Sequence, residues 1–252
     1  MIHQPNLPVF SGREAIAEAK ERVAHLHAEL PRWRLVVWTA GNVSERVIRN
    51  PGEGPGPDDL FVIKPSGVRY EDLTADSMVV CDLDGNLVEG HHRPSSDTAA
   101  HAYVYRHMEG VGGIVHTHST YATAWAAVGR EIPCALTMMG DEFGGSIPVG
   151  PFAVIGDDSI GRGIVETLRD SRSPAVLMKN HGPFTIGPTA EAAVKAAVMV
   201  EEVAKTMVVA GQVGEPLVLS DDVAEHLYDR YHNVYGQQTP DPIRSSQGAP
   251  KS

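Results

Sequence analysis

His116 and His118 stand two residues apart in GGIVHTH, and His181 follows a second apolar run in VLMKNHGPF. In an extended chain, side chains two apart share a face, so a single strand presents both imidazoles at a spacing that chelates one ion. Alone, this pair is equally well explained as two surface histidines. His181 tips the balance, because it comes directly after an apolar strand, with Gly182 permitting a sharp turn and close backbone approach. Three neutral imidazoles that leave one coordination position open are the arrangement of a catalytic divalent ion, which acts as a Lewis acid toward developing negative charge. His25, His27, His91, His92, His101 and His107 lack such a context and read as solvated or core-edge residues.

A second group suits an anion. In PSSDTAAH, Ser95, Ser96 and Asp97 open a helix whose unpaired N–H groups favour a bound phosphate, although plain N-capping explains that segment alone. GNVS at 41–44 and KPSG at 64–67 are small polar segments placed after strand-like runs, so Asn42, Ser66 and Gly67 can close on the same phosphate. Asp97 then lies close enough to reach the ion, or to accept a proton from a group that the ion activates.

The elements that must position these residues alternate between helix and strand. Ser11 and Glu14 have capping-box spacing before the helical run AIAEAKERVAHLHAEL. RLVVW at 34–38 reads as a strand entering the turn of GNVS, and LFVIKPSG at 60–67 repeats that arrangement. Asp84-Gly85, between MVVCDL and NLVEG, predicts a tight hairpin, so at least part of the sheet is antiparallel. A helix from about Asp97 to Met108 leads to strand GGIVHTH, helix TYATAWAAVG, and short strands around IPCALT, GSIPV and FAVI. DDSIGRGIVETLRD reads as a helix, AVLMKNHG and PFTIG as strands, and TAEAAVKAAVMVEEVAKTMVVAG as a long helix closed by Gly211, with a last helix from Ser220. The expected fold is an α/β/α three-layer sandwich with a central mixed sheet, in one domain over 1–238, followed by a disordered tail at 239–252.

Composition bounds the function. At 252 residues, 42% hydrophobic and 21% charged, the chain reads as one ordinary globular unit, and no apolar stretch approaches the roughly 20 residues of a membrane span. The first residues lack a secretory signal, which predicts a cytoplasmic protein, and Cys81 and Cys134 read as buried thiols. A net charge of −11 argues against nucleic acid, while a small phosphorylated ligand held by N–H groups and hydroxyls stays compatible with it.

Several motifs occur in one consistent order: GNVS, FVIKPSGV, MVV, RPSSDT, GGIVHTHS with AT-W beyond it, HGPF and YGQ. In that order the chain resembles the class II aldolase/adducin superfamily over roughly residues 12–237 and, within it, the L-ribulose-5-phosphate 4-epimerases. The resemblance implies a largely antiparallel central sheet and zinc, with manganese as the other candidate ion, on His116, His118 and His181. It implies phosphate contacts from Gly41, Asn42, Ser66, Gly67, Ser95 and Ser96. Asp97 stands where the epimerases have Asp and the fuculose-phosphate aldolases a general acid/base Glu. Asp141, in MMGDEFGG, resembles the family's acid/base Asp, and Tyr235, in VYGQ, resembles its partner from the C-terminal segment. A homotetramer with sites completed between neighbouring subunits is implied too. Against that resemblance, the loop at 50–59 looks longer than is typical of the family, and the stretch from Pro148 to Pro174 looks shorter than in the bacterial arabinose-pathway enzymes.

Breaking the C3–C4 bond of a ketose phosphate leaves an enediolate, whose charge a chelated ion stabilises. A 4-epimerase turns the retained aldehyde over and rejoins the bond, so each face needs its own proton donor, here Asp141 and Tyr235. A fuculose-phosphate type aldolase protonates the enediolate and releases both halves. A non-catalytic, adducin-like interaction module is the third reading.

Overall fold

The computed structural model describes residues 12–49 and 54–233. Its strands are β1 (Asn42–Val47), β2 (Leu60–Ile63), β3 (Val79–Asp82), β4 (Leu87–Glu89), β5 (Gly113–His116), β6 (Val149–Gly150), β7 (Ala175–Met178) and β8 (Gly182–Gly187). They form one sheet in the order β4-β3-β2-β1-β5-β8-β7-β6. Every pairing is antiparallel except β6 with β7, so the sheet is mixed and largely antiparallel, as expected.

Alternation along the strands separates two apolar layers. Phe61, Ile63, Val79, Cys81, Ile114, Val176, Phe184 and Ile186 face α2 (Thr98–His107) and α5 (Ser159–Leu168). Their neighbours Val62, Val80, Val115, Ala175 and Leu177 face the other way, toward α1 (Arg13–Arg32), α3 (Thr120–Val128) and α6 (Ala190–Val213). α4 (Thr137–Phe143) and α7 (Asp221–Asn233) pack together against the α6 side. This is an α/β/α sandwich. Among the described residues, no helix is long and apolar enough to cross a membrane.

Four local expectations are corrected. RLVVW is not a strand: Arg34 and Trp38 adopt φ of 58° and 56°, left-handed values that break an extended run. Arg34 closes α1 in a Schellman turn, with Leu35 N–H on Leu30 O and Arg34 N–H on Pro31 O. The strand lies one step later, and GNVS supplies its opening residues instead of a turn. Second, the short strands expected around IPCALT and GSIPV reduce to the Ile132–Ile147 bridge and two-residue β6, FAVI forms no strand, and TMMGDEF between the first two is the helix α4. Third, α6 runs through Gly211 to Val213. Fourth, His27 and His101, expected at the solvated or core edge, are fully buried. The capping box placed on Ser11 falls outside the described residues, and the N-cap position of α1 is Gly12.

Candidate metal centre and phosphate pocket

The β1–β5 register builds the centre. Asn42 pairs directly with His116, so both side chains project toward α2 from adjacent strands. His116 ends β5, with its ring stacked on Phe184 at 4.1 Å and its Nδ1–H donated to Pro183 O at 3.1 Å. A carbonyl only accepts, so His116 keeps its Nε2 lone pair free for a ligand. His118 lies just past the strand, held by its N–H on Leu35 O. His181 sits in the tight β7–β8 turn, where Asn180 takes φ 60° and the His181 N–H reaches Met178 O. A Cβ on Gly182 would stand 2.7 Å from Thr117 O, so glycine is what lets this turn close on β5.

The three rings converge. One nitrogen from each of His116, His118 and His181 lies within 4.8 Å of the others, and the Nε2 atoms of His116 and His118 are 3.0 Å apart. Burial pushes all three pKa values down, with the neighbouring imidazole charges adding to the effect for His116 and His118. Neutral rings with converging lone pairs are the donor set of a divalent ion, for which nitrogens about 3.3 Å apart suit tetrahedral ligation. The residues present therefore fit the expected metal.

Asp97 borders this set and is not spent on capping α2. Its Oδ2 accepts from Asn42 Nδ2 at 2.7 Å, while its buried Oδ1 has no hydrogen-bond partner among the described residues. The capping falls to Ser95, whose Oγ accepts the Asp97 N–H and whose carbonyl accepts from Thr98. Ser95 Oγ also accepts from Asn42 Nδ2 at 3.1 Å, which leaves its own proton free to donate.

The sequence-predicted phosphate residues come together around this corner. KPSG and RPSSD run side by side through the Pro65–Pro94 bridge, with Ser95 N–H on Lys64 O and Ser66 N–H on Arg93 O. Gly41 joins them to the histidines: at φ 81°, a Cβ there would stand 2.8 Å from His116 O. Ser66, Gly67 and Ser96 are exposed beside the buried Asn42. Lys64, unassigned by sequence reasoning, is buried here with its ammonium on Thr39 O at 3.1 Å and over the Tyr70 ring. Burial alone pulls its pKa down to about 8. The signal was present, since a lysine ending an apolar strand before Pro-Ser-Gly has few ways to stay hydrated.

The structure does not bring Asp141 into this cluster. It lies on α4, with Oδ1 on Arg230 of α7 at 3.2 Å. Tyr235 lies outside the described residues.

The fold finds counterparts. The profile of the class II aldolase and adducin N-terminal domain matches residues 21–208. The chain belongs to this family. An L-fuculose 1-phosphate aldolase superimposes with a TM-score of 0.76 at 27% identity, covering 85% of this chain and 96% of that one. YgbL from Klebsiella pneumoniae, named as a candidate aldolase/epimerase/decarboxylase, gives 0.71 at 26% identity over 84% and 99%. The L-fuculose-1-phosphate aldolase of Thermus thermophilus gives 0.63 at 25% identity over 82% and 100%.

Proposed function

We propose that the chain is a divalent-metal-dependent sugar-phosphate 4-epimerase that interconverts L-ribulose 5-phosphate and D-xylulose 5-phosphate by breaking and remaking the C3–C4 bond. The observation that carries the reading is the placement of Asp97, buried beside three converging imidazoles with Oδ1 unpartnered and Oδ2 held by Asn42. His116, His118 and His181 would hold zinc or another divalent ion, which supplies Lewis acidity for the oxygens that carry charge when the bond is cleaved.

The protein's own groups do the rest. Gly41, Asn42, Ser66, Gly67, Ser95 and Ser96 line the corner where the substrate phosphate binds, with Lys64 supplying positive field behind it. Asp97 accepts or returns a proton at a substrate hydroxyl. Asp141 and Tyr235 serve the two faces of the retained aldehyde, one protonating its oxygen on each side. Asp141 projects from α4 and is not gathered with this chain's histidines, which supports a site completed by a neighbouring subunit in a homotetramer.

Release of the aldehyde instead of its return would make the protein an aldolase. The likeness to L-fuculose 1-phosphate aldolase favours that second reading, and Asp rather than Glu at position 97 favours the first. Product analysis with L-ribulose 5-phosphate separates them: D-xylulose 5-phosphate marks the epimerase, and accumulating glycolaldehyde phosphate the aldolase. A chelator abolishes either activity and added zinc restores it, whereas an interaction module would show neither effect.

A further inference from the structure

β1 and α2 meet along a buried polar seam. Alternate strand residues face successive helix turns: Asn42 meets Asp97, Ser44 meets His101, and Arg46 donates to Tyr105 O. The strand advances about 6.6 Å per two residues and the helix about 6 Å per four, so the two ladders stay in step. At the far end Arg46 is anchored by Asp59 at 2.7 Å, with both side chains buried. At the near end lie three buried polar atoms without hydrogen-bond partners among the described residues: Asn42 Oδ1, Asp97 Oδ1 and His101 Nε2.

Proton counting along the seam assigns the His101 ring. Ser44 Oγ stands 2.7 Å from both His101 Nδ1 and Tyr105 OH. Burial pushes the Tyr105 phenol well above its usual range, so it keeps its proton, and Ser44 Oγ is the acceptor that stands beside it. Tyr105 then donates to Ser44, Ser44 donates to Nδ1, and the imidazole proton is left on Nε2. The opposite order would strand the phenol proton and leave the three unpartnered atoms, Asn42 Oδ1, Asp97 Oδ1 and His101 Nε2, all acceptors with no donor among them. With Nε2 protonated, the unpartnered set is one donor and two acceptors, which complement one another. Asp97 and His101 are one turn apart on α2, with His101 N–H on Asp97 O, and the Asp97 charge acts on the ring.

We propose that His101 is a positioning residue for Asp97: Tyr105 and Ser44 hold the ring as its Nε2–H tautomer, and that proton is offered to Asp97 Oδ1 through one bridging water, fixing the carboxylate beside the three histidines. This rests on reading Asp97 as the carboxylate that works at the ion.

Neutron diffraction from deuterium-exchanged, zinc-loaded protein tests the tautomer. Deuterium on His101 Nε2 and none on Nδ1 is expected; deuterium on Nδ1 overturns the proposal. Kinetics test the role. His101→Phe should keep one zinc per chain and a near-unchanged KM for the ketose phosphate, with kcat down about 10- to 100-fold. His101→Gln, which carries an N–H donor at similar reach, should recover part of that loss. A His101→Phe enzyme with full kcat overturns the proposal, as does one that loses zinc, because the ring would then be supporting the scaffold. If the protein binds zinc yet turns over no ketose phosphate, the epimerase reading fails while the neutron map still decides the tautomer.

Discussion

His116 differs from the other two histidines in its surroundings, and that difference is measurable. It is fully buried against Phe184, whereas His118 and His181 are only partly covered. His118→Ala and His181→Ala should therefore abolish tight zinc binding while shifting the metal-free Tm by no more than the equivalent of about 1 kcal/mol. His116→Ala should lose zinc and also cost about 1–3 kcal/mol, several degrees in Tm for a chain of this size. Calorimetry of the three metal-free variants checks the ranking, and equal Tm values would contradict it. His27 offers a test by pH. Its Nδ1–H donates to Val23 O and its Nε2 accepts the Val43 N–H at 2.9 Å, so both nitrogens are committed in the neutral ring. Burial pushes its pKa down to about 3 from 6.5. Between those values the unfolded chain binds the proton and the folded one does not, so this contribution is complete above pH 6.5 and is lost as pH falls toward 3. Metal-free His27→Asn should be less stable at pH 7 but show a flatter decline from pH 7 to pH 4.5; parallel curves would refute the assignment.

At the scale of elements, the seam between β1 and α2 joins the centre to the scaffold. Asp59→Ala would leave the Arg46 guanidinium buried without its carboxylate, at a cost of about 3–5 kcal/mol, whereas double replacement by apolar residues should recover much of it. Urea denaturation of the single and double variants reads this directly, and equal losses would contradict it. Much of the element order was legible, because β5, β7, β8 and the long helices carry clear apolar periods. The errors came where tertiary packing outweighed local signals. TMMGDEF carried no reading of its own, and α4 takes its place from packing: a Cβ on Gly140 would meet the Leu227 side chain at 2.7 Å, so the glycine serves the α4–α7 contact within a helix. Gly211 has no such neighbour and α6 simply continues through it. RLVVW has strand composition, but the Schellman turn at Arg34 claims its first residue. The histidine triad was legible from spacing and flanking strands. His101 was not, because its burial follows from the β1–α2 packing and no local pattern marks it, whereas Lys64 was missed although it ends an apolar strand before Pro-Ser-Gly.

For the whole molecule, the proposed reaction needs Asp141 and Tyr235 to meet histidines of another subunit. Asp141→Asn and His118→Ala enzymes should each be inactive alone, yet regain activity when dissociated and reassembled together, since some mixed sites then combine two intact halves. Reassembly without recovery would place both residues in one subunit's site. The most direct measurement is of the reaction: purified protein with L-ribulose 5-phosphate, followed by NMR before chelation, after chelation and after zinc is returned. Metal-dependent epimerisation predicts D-xylulose 5-phosphate growing to equilibrium without free glycolaldehyde phosphate, stopping on chelation and resuming with zinc. Accumulating glycolaldehyde phosphate, or substrate left unchanged by the zinc-loaded protein, would contradict it.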